Sequence, residues 1–463
     1  MYYWIPACAR MTNFRGSLRR STPDPRPPTL DPRHPTLDTV MSPRELLLAS
    51  FQAALAAADP VTIVPAHLPE PPKGKTLVVG AGKAAASMAL AVEQNWPADA
   101  PLDGLVITRY RHGLLTNRIA VVEAGHPVPD ESGEKAAQEI LRRAKSLTPD
   151  DRLLALVSGG GSALLSLPAE GVSMADLKAT TRELLRCGAT IQEMNIVRKH
   201  LSAIQGGRLA AACRAPITAL VISDVTGDDP THIASGPCAP DPTTFQDALD
   251  VLKRYEVKAP RAVMERLARG ARGEIPETPK PGSKIFKRVE NRVIATAQQS
   301  LQAAAKFFIT HDIHPAVLGD SVTGEAREVA KVYGALAREI KRHGLPWEPP
   351  VALISGGETT VTVRGKGRGG RNCEFLLALA ADLDGAEGIH ALACDTDGID
   401  GTEDNAGAFL APDSLKRAAK KKLSAAKLLD DNDGYGFFSV LDDLVVTGPT
   451  RTNVNDYRVI LIL

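Results

Sequence analysis

The sequence has 463 residues, of which 44% are hydrophobic and 24% charged, and its formal net charge is +1. This length exceeds one ordinary hydrophobic core, so two globular domains are expected. The near-neutral charge and the 4% aromatic content argue against nucleic acid and anionic membranes as partners. A signal peptide or a membrane-spanning apolar run is not recognised. Six scattered cysteines without a C-x-x-C pair indicate reduced thiols, and we expect a cytoplasmic protein.

Residues 1–40 are expected to lie outside any fold. They hold six prolines between Pro23 and Pro35 and two copies of Pro-Thr-Leu-Asp. Such a segment buries too little apolar surface to offset the entropy lost on ordering. An amphipathic helix is predicted at Glu45–Ala58, so the functional protein is expected to start near Met41. Deletion of residues 1–40 should therefore leave the activity intact.

From Lys75 onward, short apolar runs alternate with glycine-containing loops and segments of helical periodicity. The runs that predict strands are Thr76–Val79, Gly104–Thr108, Leu153–Val157, Ile217–Ile222, Val293–Ala295, Ala316–Leu318 and Val351–Ile354. Strands that alternate with helices predict parallel βαβ units. A proline-rich connection at Gly270–Gly282 divides them. We expect a Rossmann-like three-layer α/β domain at residues 41–282 and a smaller α/β domain at residues 283–463.

The first glycine loop follows the strand predicted at Thr76–Val79. It contains Gly80, Gly82 and Lys83 and half matches a dinucleotide-binding fingerprint. Arg109 at the end of the next strand would suit an NADP 2′-phosphate. Alternatively, Lys83 would bind a transferring phosphoryl group at a helix N-terminus. A glycine turn that only lets helix and strand pack closely explains the glycines but not Lys83.

A second glycine loop and a cationic loop are candidate anion sites. The second loop follows Val157 and comprises Ser158, Gly159, Gly160, Gly161 and Ser162. The cationic loop, Arg364–Asn372, precedes a predicted helix at Phe375–Ala381 and includes Arg371. The apolar run before it is expected to break into a loop of Ser355, Gly356, Gly357 and Glu358. Glycine amides and helix N-termini bind phosphate or carboxylate, although a basic loop that stood alone would favour a solvated hairpin.

The helix that follows Thr190 has one apolar face and one face of cations and neutral donors. The second face carries Asn195, Arg198 and Lys199 without a carboxylate after Glu193, which suits an acidic ligand. A solvated helix face is the alternative, since one short helix is a small sample. His126 lies in a loop of turn residues and could orient a substrate, although a structural histidine is the commoner outcome.

Aspartates follow two predicted strands. Asp224 and Asp228 follow the strand at Ile217–Ile222, and Asp395 and Asp397 lie in a second acidic loop. One or two carboxylates are enough to bind the Mg²⁺ that a nucleotide carries. The same loops contain Asp400 and Asp404, for which a turn-capping role is favoured.

Eight blocks of the sequence closely resemble the type-2 glycerate kinases, whose C-terminal part is the MOFRL domain. The resemblance runs in order from about Met41 to the C-terminus. The blocks are VVGAGKAAASMA (78–89), HPVPDESG (126–133), LVSGGGSALL (156–165), NIVRKHLSAIQGGRLA (195–210), SDVTGDDPTHIASGPCAPDPTTF (223–245), ISGGETTVTVRGKGRGGRNCEF (354–375), DTDGIDGTEDNAGAF (395–409) and TGPTRTNVND (447–456).

The resemblance implies phosphorylation of D-glycerate at the 2-hydroxyl with ATP and Mg²⁺, which gives 2-phosphoglycerate and ADP. It implies an active site in a cleft between two α/β domains, with Lys83 and Arg371 as the catalytic cations. Asp224 or Asp228 would accept the hydroxyl proton or bind metal, and Asp395 and Asp397 are further candidate Mg²⁺ ligands. The remaining candidates are substrate ligands (Asn195, Arg198, Lys199, His126) and nucleotide or phosphate ligands (Gly80, Gly82, Ser158, Gly159, Gly160, Gly161, Gly356, Gly357, Glu358).

Two other functions stay open at this point. Some members of the resembling family are labelled hydroxypyruvate reductases, which would use NAD(P)H at the first glycine loop. A non-catalytic sensor of sugar acids or nucleotides is the other alternative. For the kinase we expect small-molecule partners only, and a monomer or homodimer.

Overall fold

Two six-stranded sheets organise residues 41–463, which are the residues that this computed structural model describes. The expectations for residues 1–40 lie outside the described part. The strands are β1 Thr76–Ala81, β2 Leu102–Arg109, β3 Ile119–Ala124, β4 Arg152–Val157, β5 Ile217–Ile222, β6 Val289–Ala295, β7 His314–Glu325, β8 Val351–Thr360, β9 Ile389–Asp395, β10 Gly407–Leu410, β11 Leu444–Val445 and β12 Asp456–Ile462.

Helices cover both faces of both sheets. They are α1 Pro43–Ala56, α2 Pro60–Ile63, α3 Ala85–Asn95, α4 Glu131–Ser146, α5 Gly161–Leu164, α6 Met174–Arg186, α7 Ile191–Leu201, α8 Arg208–Ala212, α9 Phe245–Arg254, α10 Arg261–Ala271, α11 Ala297–Ile309, α12 Ala326–His343, α13 Arg371–Leu383, α14 Ser414–Lys420, α15 Ala425–Asp430 and α16 Gly434–Leu441.

The first sheet is wholly parallel and has the order β3-β2-β1-β4-β5-β6. Alternate residues of each strand pack on opposite sides: Leu77 and Val79 belong to one buried cluster and Val78 to another. This period of two places a hydrophobic layer on each face of the sheet. The predicted three-layer α/β architecture is confirmed.

The second sheet is mixed and has the order β11-β10-β9-β12-β8-β7. Only the β7–β8 pair is parallel; β12 lies antiparallel to both β8 and β9. Its two faces are also apolar, with Ile460 and Ile462 on one side and Val459 and Leu461 on the other. The expected second, smaller α/β unit is therefore present.

Sheet membership does not follow the chain boundary expected at residues 282 and 283. Strand β6 lies beyond that boundary and pairs with β5 of the first sheet. Helix α1 precedes the first sheet but packs on the second, where Leu47 and Phe51 are buried and the Tyr457 hydroxyl donates to Ser50 Oγ at 2.8 Å. The division at residue 282 stays a prediction.

The expected loop at Ser355–Glu358 is wrong. Strand β8 continues to Thr360, because Gly357 and Glu358 pair with Val322 and Thr323 of the parallel neighbour β7. Gly357 has φ +101°, and a Cβ there would overlap the Val322 backbone. The glycine therefore permits an irregular but continuous pairing rather than ending the strand.

In residues 41–463, no single helix has the length and apolar character needed to cross a membrane. One pair of short segments bent by 43°, Pro43–Ala56 and Pro60–His67, meets these criteria together. The apolar side of the first segment is buried against the second sheet, at Leu47, Phe51 and Ala54.

Candidate active site

The loops that follow β1 and β4 lie side by side where the strand order of the first sheet reverses. Such a reversal leaves a crevice at the carboxyl ends of the strands. Lys83 N–H donates to the Gly159 carbonyl at 2.8 Å, and Ala84 N–H donates to Ser158 Oγ at 3.0 Å. Gly82 has φ +143°, and a Cβ there would overlap Ser158. The loops are thereby locked together, with Lys83 at their centre.

The two glycine loops differ in the partners of their amides. In the first loop, the N–H groups of Gly82, Lys83, Ala84 and Ala85 all have acceptors within the protein. Gly80 lies inside β1 and is paired on both sides. These bonds leave the first loop few donors for a nucleotide phosphate, so the proposed role of Gly80 and Gly82 gains no support from their contacts.

In the second loop, the N–H groups of Gly159 and Gly160 have no acceptor among residues 41–463. Gly160 has φ +80°, and a Cβ there would lie 3.1 Å from the His126 ring and 3.3 Å from Lys83 Cγ. A Cβ on Gly159 would overlap Asp224 and Asn453. Adjacent free amides in a tight glycine turn form an anion-binding concavity.

Lys83 and Arg371 flank one acidic loop at the end of β9. Lys83 Nζ lies 2.5 Å from Asp397 Oδ2, and Arg371 Nη2 lies 3.0 Å from Asp395 Oδ2. Arg371 also pairs with Asp456 at 2.9 Å and with Glu358. A cation from the loop after β1 and a cation from the start of α13 therefore meet at the same loop.

The charges of this loop are interdependent. Burial lowers the pKa of Lys83, but the carboxylates of Asp397 and Asp395 outweigh it and hold that pKa above its usual value. The pKa of Asp395 is raised by burial and by the charge of Asp397. Despite burial, the pKa of Asp397 is lowered by Lys83. Lys83 and Asp397 are thus both charged at neutral pH.

Asp224 follows β5 and faces the Gly159 turn. Burial raises its pKa to about 6, opposed by Lys83 and assisted by the Glu358 carboxylate. Asn453 Nδ2 donates to its Oδ2 at 3.1 Å, and Asn455 Nδ2 donates to its backbone carbonyl at 2.7 Å. A carboxylate with a pKa just below neutrality is suited to general-base catalysis.

His126 lies next to this group in its neutral form. Burial, together with the positive charges of Lys83 and Arg109, lowers its pKa to about 3. Its buried Nδ1 has no hydrogen-bond partner among the described residues. A neutral imidazole at this position can donate or accept one hydrogen bond to a ligand.

The α7 residues divide into two groups. Arg198 is half-buried, its pKa is lowered by loss of solvent around the guanidinium, and its side chain donates to Asn195 Oδ1 at 3.4 Å. A half-buried guanidinium without a carboxylate partner suits an acidic ligand. Asn195 also contacts Ser235, whose hydroxyl reaches Ser162 of the second glycine loop. Asn195 and Arg198 therefore adjoin that loop.

Lys199 belongs to the second group and has a structural environment. Its ammonium lies 2.7 Å from Asp241 Oδ1, and both side chains are only 1% exposed. A lysine neutralised in this way has little charge left for a substrate carboxylate. The expected polar face of this helix is in fact largely buried: Lys199 contacts Asp241 and Asn195 contacts Ser235. Helix α9 packs on the opposite, apolar face.

The cationic loop and Asp228 are less closely tied to the site. Arg364, Lys366 and Arg368 are exposed, and the loop amides of Gly365, Lys366 and Arg368 bond to Asn432, Asp431 and Asp433. Asp228 lies in a turn with φ +53° and has no side-chain hydrogen bond or ion pair recorded within residues 41–463. Arg371 is the member of the cationic loop that reaches the acidic loop.

Helix α13 begins at Arg371, four residues earlier than predicted, and its N-terminus is occupied. Asp400 accepts hydrogen bonds from the N–H groups of Asn372 at 3.0 Å and Cys373 at 2.9 Å. The expected turn-capping role of Asp400 is therefore seen as a helix cap. We expected the N–H groups at this helix end to bind a ligand. Asp400 instead accepts hydrogen bonds from two of them.

The site contains more carboxyl groups than cations. Its ion pairs join Lys83, Arg371 and Arg458 to Glu358, Asp395, Asp397 and Asp456, and Asp224 is a fifth carboxylate beside them. Five carboxylates against three cations suit a divalent cation with hard oxygen ligands. Within residues 41–463, no three acidic, histidine or cysteine side chains form a ready-made metal cage. An ion carried by a phosphate ligand needs fewer protein ligands and fits this arrangement.

Sequence reasoning assigned no role to the segment before β12. Asn453 and Asn455 reach Asp224, and Thr450 N–H donates to the Asp397 carbonyl at 3.1 Å. The Thr452 hydroxyl donates to the Ala58 carbonyl, and Asp456 pairs with Arg371. The signal was available: the segment from Thr450 to Asp456 is almost wholly polar and directly precedes a buried strand.

Comparisons with known proteins identify relatives of this chain. The family description "Domain of unknown function (DUF4147)" matches residues 46–268, and "MOFRL family" matches residues 351–456. A "Putative hydroxypyruvate reductase" of Agrobacterium vitis is 49% identical over 91% of this chain and 95% of its own length. A "Glycerate 2-kinase" of Pyrococcus horikoshii is 41% identical, covering 84% of this chain and 88% of its own.

The structural comparison points the same way. A crystal structure of glycerate kinase from Thermotoga maritima has a TM-score of 0.79 and 36% identity, covering 91% of this chain and 99% of its own. The curated "D-glycerate 2-kinase" of that organism is 37% identical over 91% of this chain and 98% of its own. With these matches, both family descriptions and the paired cations at the acidic loop, the chain belongs to the glycerate 2-kinase family and carries a C-terminal MOFRL domain.

Proposed function

We propose that this protein transfers the γ-phosphoryl group of ATP to the 2-hydroxyl of D-glycerate and releases 2-phosphoglycerate and ADP. The observation that carries the proposal is the meeting of Lys83, which follows β1, and Arg371, which begins α13, at the Asp395–Asp397 loop. The free amides of Gly159 and Gly160 lie beside them. Phosphoryl transfer requires positioning and charge stabilisation at one point more than covalent chemistry.

The cations and the glycine amides would bind the transferring group. Lys83 would leave Asp397 and bind a phosphoryl oxygen. Arg371 would donate hydrogen bonds both to Asp456 and to the phosphate. The N–H groups of Gly159 and Gly160 would donate to the same oxygens. Such preorganised donors stabilise the charge that develops in the transition state.

Asp224 is the favoured general base. With a pKa of about 6 it is mostly ionised at neutral pH and can accept the proton of the 2-hydroxyl. The hydroxyl oxygen then forms a bond to the γ-phosphorus, and the bond from that phosphorus to the bridging oxygen of ADP breaks. Asn453 fixes the carboxylate through its 3.1 Å hydrogen bond. Asp228 remains the alternative base, without comparable contacts.

Arg198 and Asn195 are proposed to bind the carboxylate of D-glycerate. The Arg198 guanidinium is half-buried and has no carboxylate partner among residues 41–463, and Asn195 accepts a hydrogen bond from it. His126, held neutral beside Lys83 and Gly160, would contact a substrate hydroxyl. Lys199 is left out of this group because Asp241 neutralises it.

The carboxylates at the end of β9 are proposed to hold the Mg²⁺ that accompanies ATP. Asp395 and Asp397 have the required oxygen donors, and the excess of carboxylates over cations in the site supports them. When bound, the ion would neutralise phosphate charge. We propose small molecules as the partners. The expected absence of nucleic-acid and membrane partners, the monomeric or homodimeric state and the cytoplasmic location stay predictions.

The reductase alternative has weaker support. The strand order of the first sheet is the one that binds dinucleotides in many proteins. However, the four N–H groups from Gly82 to Ala85 are bonded internally and are not free for a pyrophosphate. Protein mixed with NADPH and hydroxypyruvate should therefore show no nicotinamide oxidation.

The ³¹P NMR spectrum of the product made from ATP, Mg²⁺ and D-glycerate tests the proposal. We expect signals of ADP and 2-phosphoglycerate in equal amounts. Signals of 3-phosphoglycerate would contradict the proposed acceptor atom, and no phosphate ester would contradict the kinase. A sensor would instead gain thermal stability from D-glycerate or ATP without releasing ADP.

A further inference from the structure

A left-handed turn lies between the second glycine loop and α7. Ala234, Ser235 and Gly236 have φ values of +50°, +58° and +58°. Side chains of L-residues are strained in this region, and such residues concentrate where the surrounding structure needs their side chains. The turn is held by Gly206 N–H, which donates to the Ser235 carbonyl at 2.9 Å, and by Gly207 N–H, which donates to the Gly236 carbonyl at 2.7 Å.

The Ser235 hydroxyl connects two parts of the site. Its oxygen lies 2.8 Å from Ser162 Oγ and donates to Asn195 Oδ1 at 3.2 Å. Because Ser235 has one proton and gives it to Asn195, Ser162 must donate to Ser235. Arg198 donates to the same Asn195 oxygen at 3.4 Å. A continuous chain of hydrogen bonds, called the relay below, therefore runs from Ser162 of the glycine loop through Ser235 and Asn195 to Arg198.

Ser235 is buried and has a strained backbone, which indicates that its hydrogen bonds matter to the folded protein. Ser235 and Asn195 are 0% and 2% exposed. If one partner were removed, water could not easily replace the missing hydrogen bond. A glycine would relieve the strain at residue 235, as Gly236 does one position later. The chain instead has a serine at this left-handed position, and its hydroxyl contacts both Ser162 and Asn195.

We propose that Ser235 is a positioning residue that holds Arg198 and Asn195 at a fixed place relative to the Ser158–Ser162 loop, and so sets the affinity for the acceptor's carboxylate. This inference rests on the proposed function, because the acceptor is the molecule whose carboxylate Arg198 would bind. Ser235 acts through Asn195 and not by contact with the reacting atoms.

The experiment compares Ser235→Ala and Ser235→Gly with the wild type in steady-state kinetics. We expect the KM for D-glycerate to rise about tenfold in both variants, as for loss of one buried hydrogen bond. The KM for ATP should stay within about twofold. Ser235→Gly should have a higher Tm than Ser235→Ala, because glycine relieves the left-handed strain. The KM effect should thus be equal although the stabilities differ.

Ser50→Ala is the matched control for a buried serine. Ser50 Oγ donates to the Leu47 carbonyl at 2.7 Å and accepts from Tyr457 at 2.8 Å, on α1. This variant should have a lower Tm and an unchanged KM for D-glycerate. A KM that rose in proportion to lost stability in all three variants would overturn the proposal.

Ser162→Ala keeps the relay testable if the Ser235 variants fail to fold. It should raise the KM for D-glycerate by a similar factor, and Ser162→Ala/Ser235→Gly should raise it little further, since both break one relay. If the two substitutions raised the KM by independent factors that multiply in the double variant, the proposed relay would be contradicted. An active wild type with an unchanged KM in the Ser235 variants refutes only this inference. A wild type without glycerate phosphorylation refutes the proposed function and the inference together.

Discussion

Lys83 Nζ lies 2.5 Å from Asp397 Oδ2, and this ion pair joins a strand end of the first sheet to a strand end of the second. Lys83 follows β1 and Asp397 follows β9, more than 300 residues later in the sequence. The Asp397 side chain is buried and that of Lys83 is largely so. A buried pair persists when its geometry and further hydrogen bonds compensate for desolvation, and Ile399 N–H supplies one such bond to Asp397 at 2.8 Å.

Replacement of either central cation should abolish most of the activity. Lys83→Ala and Arg371→Ala should each lower kcat by about a thousandfold, because each cation would stabilise the transferring phosphoryl group. Coupled-enzyme detection of ADP release measures the change. Arg368→Ala is the matched control, since this exposed side chain of the same loop lies over the Tyr435 ring at 4.7 Å. A loss below tenfold in either central variant would contradict the assigned roles.

The activity should fall in acid as Asp224 becomes protonated. A general base is active when ionised, so kcat/KM should rise with pH through about 6 and level off above it. Asp224→Asn should remove this acidic limb and lower kcat by at least about a hundredfold. Asp228→Asn should keep the limb. The opposite pattern would make Asp228 the base.

Asp224→Asn should also stabilise the fold at neutral pH. The folded pKa of about 6 lies above the ordinary value of 3.8, so the folded state binds the proton more tightly. Stability is therefore lost as the pH rises from about 4 to 6, by up to about 3 kcal/mol. The variant, which carries no charge, should have a Tm a few degrees above that of the wild type at pH 7.5. If Asp224→Asn and the wild type had equal Tm values at pH 7.5, burial of the Asp224 carboxylate would not destabilise the fold.

Loss of the half-buried guanidinium on α7 should weaken acceptor binding. Arg198→Ala should raise the KM for D-glycerate about tenfold to a hundredfold, because a charge-assisted hydrogen bond contributes about 1.5–3 kcal/mol. The KM for ATP should not change. Arg198→Lys should be intermediate, since it keeps the charge without the two-pronged geometry. Equal rises in both KM values would indicate a general loss of structure instead.

The neighbouring Lys199 should affect stability rather than binding. Lys199→Met leaves the Asp241 carboxylate buried without its cation and should lower the free energy of unfolding by about 3–5 kcal/mol. Lys199→Met/Asp241→Leu should recover part of that loss. Urea unfolding measures both variants. A stable Lys199→Met with a raised KM for D-glycerate would return Lys199 to the substrate site.

Local patterns predicted the strand ends well. The apolar runs that end at Val157 and Ile222 are observed as β4 and β5, and the residues that follow them line the site. Each run is buried on both faces, so hydrophobicity alone specifies it. The acidic loop after β9 was found for the same reason, because a polar run directly follows buried residues.

Features that depend on distant partners were not predicted. Gly356 and Gly357 are typical of a loop, yet pairing with β7 keeps them in a strand. Lys199 is similar to Arg198 in sequence, and only the position of Asp241, 42 residues later, gives them different environments. Asn453 and Asn455 reach Asp224 across more than 200 residues. The local periodicity of a sequence carries no information about contacts between residues so far apart along the chain.

The packing of α1 on the second sheet has a consequence for motion. Because α1 precedes the first sheet and α11 follows it, the segment 60–295 interrupts the chain that builds the second sheet. Both ends of that segment are tethered to the same body, at residues 57–59 and at the short link between β6 and α11. Rotation about the line through these two tethers is the motion that strains the backbone least. A rotation about this line would separate Lys83 from Asp397 and open the site between the two sheets.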